Sequence, residues 1–125
     1  MALHQQATWG HTLELWNAAM VEAKGELERV AKAGHAPIFY SQLNRNIASI
    51  SFEPDGHDFH GLLCQLSEES DQEGKGMISA LVVRKEDGHP GKGFFTLAKT
   101  LGRDVSDADK CWSEELKRVY RAFAY

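Results

Sequence analysis

The sequence predicts a single, mainly helical α+β domain, and three observations lead to this fold class. The chain has 125 residues, a usual size for one domain, and its 42% hydrophobic content is enough for a single packed core. Apolar residues recur at helical spacing in several stretches. Ile78 to Val83 is instead a short continuous apolar run, typical of a buried strand. We therefore expect four or five helices around a small β-sheet.

The longest helix is predicted over residues 12–33. Its apolar residues alternate steps of three and four and form one stripe, made of Leu13, Trp16, Met20, Ala23, Leu27 and Val30. Thr12 is a suitable N-cap, and Gly34 followed by Pro37 ends the helix. The stripe favours packing onto the chain's own core, with a dimer seam as the alternative. Residues 1–11 are expected to be a flexible N-terminus.

Shorter elements are predicted between this helix and the buried strand. Ile38 to Tyr40 is a short apolar run, Ser41 to Ile47 a brief helix, and Ile50 to Phe52 another short strand. Asp58 is the expected cap of the next helix, whose inward face comprises Phe59, Leu62, Leu63 and Leu66.

The stretch from Met77 to Lys99 is the most distinctive part of the chain. Its apolar run leads into Arg84 and Lys85, and the pairs Asp87-Gly88 and Pro90-Gly91 then predict tight turns. Two helices are predicted to follow, and Ser106 is the expected cap of the second. The inward residues of the first are Phe94, Leu97, Ala98 and Leu101. Those of the second are Trp112, Leu116, Val119 and Phe123.

Charge is distributed unevenly along the chain. The net charge is −4 and the pI about 5.8, which excludes a polycation. Residues 77–103 nevertheless carry five cations against two anions, a net of +3, so the remainder carries −7. Any contact with nucleic acid must therefore come from a local patch, and the region 77–103 is a basic segment in an otherwise acidic chain.

Compartment and redox state follow from simple observations. Cys64 and Cys111 are far apart and lie among apolar neighbours, so buried free thiols are expected, with a disulfide between them as the alternative. The first residues lack the basic start and apolar run of a signal peptide, and no stretch reaches the ~18 apolar residues that span a bilayer. We expect a cytoplasmic protein with no membrane partner.

Three kinds of catalytic or ligand site have weak support. His57 and His60 are weak metal candidates in Asp55 to His60, because no third ligand cluster lies at a suitable spacing. The glycines at 88, 91 and 93 match neither a P-loop nor a dinucleotide fingerprint. The cysteines and serines lack a nucleophile motif, and the pairs Glu68-Glu69 and Glu114-Glu115 are expected to be solvated. Neither an enzyme, a cofactor nor a nucleotide ligand is indicated.

Binding to nucleic acid has more support. A short helix, a second helix, a strand and a basic turn follow one another in the order of a winged helix-turn-helix, in which helix residues read bases and wing cations neutralise phosphates. Seven anions between Glu53 and Glu73 oppose this assignment, because phosphate repels them. The alternative is a basic loop without a ligand.

A resemblance adds to this prediction. Ala80-Leu81-Val82-Val83 and Gly88-x-Pro90-Gly91-x-Gly93-Phe94-Phe95 resemble the signature of an uncharacterised bacterial and phage domain, with similarity over residues 38–125. That family is similar to winged-helix modules and to the wing-bearing domain of alkyltransferase-like proteins. The resemblance implies a winged-helix-like core over residues 38–125 and a DNA-contacting wing. It implies no methyl transfer, because the Pro-Cys-His-Arg motif is absent.

Together these observations predict a non-enzymatic binding module. DNA is the first expected partner, contacted through Arg45, Arg84, Lys85, His89 and Lys92. The alternative is a protein-interaction module, such as a phage or mobile-element accessory or inhibitor protein acting on a bacterial partner, and a homodimer is also possible.

Overall fold

The computed structural model describes residues 8–34, 36–53 and 56–124. Five α-helices occur in this part of the chain, at Leu13–Ala33 (α1), Tyr40–Arg45 (α2), His57–Gln72 (α3), Lys92–Thr100 (α4) and Ala108–Phe123 (α5). Two short strands, Ile38–Phe39 (β1) and Val82–Val83 (β2), pair in parallel, with Ile38 opposite Val82 and Phe39 opposite Val83. The predicted mainly helical α+β class is confirmed.

Helix α1 follows its sequence signals closely. The Thr12 hydroxyl accepts a hydrogen bond from the Leu15 amide at 3.2 Å, and Gly34 ends the helix with a left-handed φ of 66°. The predicted stripe is buried except for Leu13, whose side chain is 56% exposed. Leu13 was expected to be inward, but as the first residue of α1 it is exposed at the end of the helix.

The predicted strand from Ile78 is wrong over its first four residues. Ile78–Leu81 is a buried 3₁₀ helix packed against α1, α3 and α5, and only Val82–Val83 is extended. Side chains from the helices satisfy its backbone. Met77 N–H donates to Glu115, Ser79 N–H donates to Ser67 Oγ, and the Trp112 indole donates to Ala80 C=O. A strand partner is therefore unnecessary here.

Glu115 is the clearest departure from the expected charge pattern. The pair Glu114-Glu115 was predicted to be solvated, but the Glu115 side chain is 1% exposed and bonded to Arg103 and Arg118. The energetic cost of burying a carboxylate is offset when cations and amides donate hydrogen bonds to its oxygens. Arg103, counted above in the basic region, consequently has a structural role.

Three further boundaries differ from the predictions. Ile50 to Phe52 was predicted as a strand but is irregular. The Asn44 side chain donates to the carbonyl of Phe52 and accepts from its amide, so these backbone groups need no partner strand. Gly56 rather than Asp58 is the N-cap of α3, and Asp58 accepts a bond from His11 instead. Asp107 rather than Ser106 caps α5, through the Lys110 amide.

The ends and the thiols complete the description. Residues 8–11 contact α3, where the Trp9 ring covers Gly61; residues 1–7 of the expected flexible N-terminus lie outside the described part. Cys64 and Cys111 are free thiols, as predicted, but only Cys111 is buried and Cys64 is partly exposed. Within the described residues, none of the helices combines the length and apolar character that a bilayer crossing requires.

Candidate nucleic-acid interface

The parallel pairing of β1 and β2 creates the candidate site. In a parallel pair the carboxyl ends of both strands meet at one edge, a position where α/β proteins often bind ligands. Phe39 is opposite Val83, so the residues that follow, Tyr40 with Ser41 and Arg84 with Lys85, lie at this edge. Two segments more than forty residues apart in sequence are thereby brought together.

An open groove of about 450 Å³ lies at this edge. Its walls include aromatic, hydroxyl and charged side chains together with one glycine, namely Phe39, Tyr40, Ser41, His60, Arg84, Lys85, Glu86 and Gly91. The volume falls in the range of small-ligand pockets, and the mixture of aromatic surface with a few polar groups is typical of them. The groove can therefore hold a ligand fragment carrying both a planar ring and an anion.

The loop that carries the cations is closed by its own hydrogen bonds. Arg84 N–H donates to the His89 carbonyl and Gly88 N–H donates to the Arg84 carbonyl, each at 2.8 Å. Gly88 has a φ of 69°, which an L side chain rarely adopts. The Arg84 guanidinium pairs with Asp87, and this contact holds the pKa of the Asp87 carboxyl below its ordinary value. The loop is thus fixed, while Arg84 and Lys85 remain exposed.

Tyr40 connects this edge to the start of α4. Its hydroxyl oxygen accepts a hydrogen bond from the Gly91 amide at 3.2 Å, and a Cβ on Gly91 would lie only 3.3 Å from that oxygen. Burial raises the pKa of Tyr40 above its ordinary value, so the phenol is neutral at physiological pH. A neutral phenol that accepts from Gly91 can donate its own proton to an anion in the groove.

His60 forms the wall on the α3 side. Its ring lies 5.9 Å from that of Tyr40, and its Nδ1 lies 3.5 Å from the position of a Cβ on Gly93. The start of α4 therefore lies beside this ring, at ordinary contact distance. Helix N-termini favour anions, because their amides and the helix dipole point outward.

The five predicted nucleic-acid contacts occupy different positions. Arg84 and Lys85 line the groove, and Lys92 is the exposed first residue of α4, next to Gly91. His89 is not among the groove residues and contacts α5 instead, with its ring 5.1 Å from that of Trp112 and its Nδ1 3.4 Å from Asp109. Arg45 ends α2, about 7.5 Å along the helix axis from Tyr40.

The weak metal candidates are not part of a ligand cluster in the described residues. His57 is exposed in the first turn of α3, whereas His60 lines the groove. No group of three His, Cys, Asp or Glu side chains in residues 8–34, 36–53 and 56–124 is arranged to hold an ion. Asp55, which belonged to the same sequence motif, lies outside the described residues.

Sequence reasoning finds the cations of the groove but misses its aromatic side. Phe39, Tyr40 and Ser41 belong to an apolar run and a short helix start, neither of which predicts a site. The sequence carries one signal of this wall: it contains two short apolar runs of similar length, and each is followed directly by polar residues. Had these runs been paired as parallel strands, their ends would have predicted the groove.

Comparison of the chain with protein-family models, with curated protein sequences and with solved structures gives no match. The function must therefore be inferred from the groove, the loop and the charges around them.

Proposed function

We propose that the chain binds nucleic acid, with DNA as the first partner, through Arg84, Lys85 and Lys92 and the groove beside them. One observation carries the proposal: two parallel strands end at a common groove, where exposed cations from one strand face aromatic and hydroxyl groups from the other. Cations fixed on a short closed loop are typical of contacts that neutralise a phosphodiester backbone.

Several groups support the choice of a phosphate as the bound anion. Lys92 begins α4, so its cation and the amides of the first helical turn lie at the same end. The Tyr40 hydroxyl is a neutral donor beside the Gly91 amide. Glu86 is the anion in the groove wall, and it keeps the net attraction modest.

The charges of α3 favour contact by the loop rather than by a recognition helix. Glu68 and Glu69 are exposed on α3, and phosphate would be repelled by them. A loop that contacts phosphates positions the protein without reading base edges. The expected binding is therefore salt-dependent and weakly sequence-specific.

The winged-helix-like arrangement belongs to the same proposal. In it α2 and α3 correspond to the two helices of the motif by their order in the chain, and the loop from Arg84 to His89 takes the role of the wing. The two strands are parallel, whereas a wing is usually an antiparallel hairpin, so the likeness concerns the order of elements and the basic loop. Arg45 at the far end of α2 and His89 against Trp112 are expected to contribute less than Lys85 and Lys92.

Fluorescence anisotropy with a labelled DNA duplex tests the proposal. We expect Lys85→Glu to weaken binding by about tenfold or more at low salt, because a contact to phosphate becomes a repulsion. Lys117→Glu changes charge equally at an exposed position of α5 and is the matched control. Equal affinities for the two variants, or no binding by the unmodified protein at low salt, would overturn the proposal.

A further inference from the structure

The groove at the ends of β1 and β2 has a volume of about 450 Å³, and most of its exposed lining is apolar. Lys85 and Lys92 can contact the phosphates of a duplex from outside, because phosphates lie on the outer surface of the double helix. Such contacts do not fill a concave apolar groove. The groove therefore has room for a further part of the ligand and apolar surface to bury it against.

Phe39 supplies the free aromatic surface of this groove. Of the six phenylalanines in the chain, it is the one that packs neither within nor against a core cluster of the described residues. Its neighbours Ile38 and Tyr40 pack against the core, and the Tyr40 ring contacts those of Phe59 and His60. Phe39 lines the groove and has no such ring contact in the part of the chain that the structure describes.

The charges beside Phe39 fit a planar ring that is attached to an anion. Lys85 forms no ion pair with a described residue, whereas Arg84 pairs with Asp87. Glu86 is an acceptor in the groove wall, and carboxylates accept hydrogen bonds from the amino groups of base edges. A nucleotide carries a planar ring, such an edge and a phosphate in one unit.

We propose that the groove holds one unpaired base of DNA, stacked on Phe39, while Lys85 and Lys92 contact the adjoining phosphates. The inference rests on the proposed DNA binding and specifies the form of DNA that the groove fits. In a duplex the base is stacked between its neighbours and its edge is paired, so the groove stays empty. Stacking of an unpaired base on an aromatic side chain is tolerant of sequence.

A free mononucleotide shares this chemistry, but two observations favour a strand. The glycines at 88, 91 and 93 match neither a P-loop nor a dinucleotide fingerprint, the turns that hold the phosphates of free nucleotides. Lys85 and Lys92 lie on separate elements, the loop after β2 and the first turn of α4. Two separate cations suit successive phosphates along a strand.

Fluorescence anisotropy with two labelled duplexes tests the inference on the full chain. Both carry the same single-stranded overhang of mixed sequence, but in one of them the overhang nucleotides are abasic, so the phosphates are equal and the bases differ. The unmodified protein should bind the base-bearing overhang about fivefold or more tightly than the abasic one, the effect of one stacked base.

Phe39→Leu keeps an apolar side chain without an aromatic ring, so it should remove most of this difference. Its affinity for the abasic duplex should stay unchanged, and circular dichroism checks that the variant is folded. Tyr120→Leu alters a partly buried aromatic residue of α5 outside the groove and is the matched control, which should retain the difference.

Equal affinity of the unmodified protein for the two overhangs would overturn the inference and leave DNA binding in place. That comparison does not depend on the folding of any variant. A full difference in Phe39→Leu would overturn the inference equally, as would displacement of the overhang by a free mononucleotide at equal concentration. Failure to bind either duplex at low salt would instead overturn the proposed function itself.

Discussion

The guanidinium of Arg103 donates two hydrogen bonds to the carboxylate of Glu115, each 3.0 Å long, and Glu115 is almost entirely buried. The same carboxylate accepts from the Met77 amide at 2.8 Å and from Arg118 at 2.6 Å. The hydrogen bonds from Arg103 to Glu115, and then its bond to Asp71, raise the pKa of Arg103 above its ordinary value. One side chain of α5 thus connects the segment after α4 with the start of the buried 3₁₀ helix.

Removal of this carboxylate should destabilise the fold strongly. We expect Glu115→Ala to lower the free energy of unfolding by about 3–5 kcal/mol, because Arg103 loses its buried partner and the Met77 amide loses its acceptor. Glu114→Ala, at the exposed neighbouring position, should change it by less than about 0.5 kcal/mol. Urea unfolding of both variants measures the difference. Similar values for the two would contradict the assigned role of Glu115.

Gly25 inside α1 and Gly34 at its C-cap should respond in opposite directions to the same substitution. Gly25 is exposed within the helix, and a Cβ there would meet no other side chain or segment within 4 Å, so Gly25→Ala should raise the free energy of unfolding by about 1 kcal/mol. Gly34 has a φ of 66°, so Gly34→Ala should lower it by about 1–2 kcal/mol. Thermal unfolding at matched concentrations compares them, and shifts of the same sign would be inconsistent with these conformations.

Part of the free energy of unfolding should depend on the charge of Glu22 and should be lost at acid pH. Its carboxylate accepts from the Ser49 amide and hydroxyl and from the Ala48 amide, and these bonds, with Ser49 first, hold the pKa of Glu22 below its ordinary value. A lowered folded-state pKa gives stability that is present above the unfolded-state pKa and lost as pH falls through the folded-state pKa.

Glu22→Gln should therefore be less stable than the unmodified protein near neutral pH, and the difference should shrink as pH falls through that range. Urea unfolding at a series of pH values measures it. A difference that stays constant from neutral to acid pH would mean that the Glu22 charge makes no contribution.

The helices were predictable because their signals are local. Periodic apolar residues, Thr12 and Gly34 define α1 within a single stretch of sequence, and four residues of the predicted α3 face are buried as expected. The 3₁₀ helix at Ile78–Leu81 was not predictable, because its backbone partners come from Ser67, Trp112 and Glu115 on distant helices. A buried apolar run has the same pattern in either conformation.

In the candidate site, too, the local features could be predicted from the sequence and the contacts between distant segments could not. Arg84, Lys85 and their glycine turn are local features and could be predicted. The facing wall of Tyr40 and His60 depends on the pairing of two-residue strands and on the approach of Gly91 to Tyr40. Strands of two residues have almost no periodicity of their own, so their pairing leaves little trace in the sequence.

The salt dependence of duplex DNA binding is the most direct test of the central claim, that Lys85 and Lys92 contact phosphates beside the groove. The logarithm of the binding constant should fall linearly with the logarithm of salt concentration, with a slope less negative by about 0.9 for each lysine replaced by alanine. Lys85→Ala/Lys92→Ala should accordingly reduce the slope by about 1.8. An unchanged slope in this double variant, with Lys117→Ala as the control, would contradict the claim.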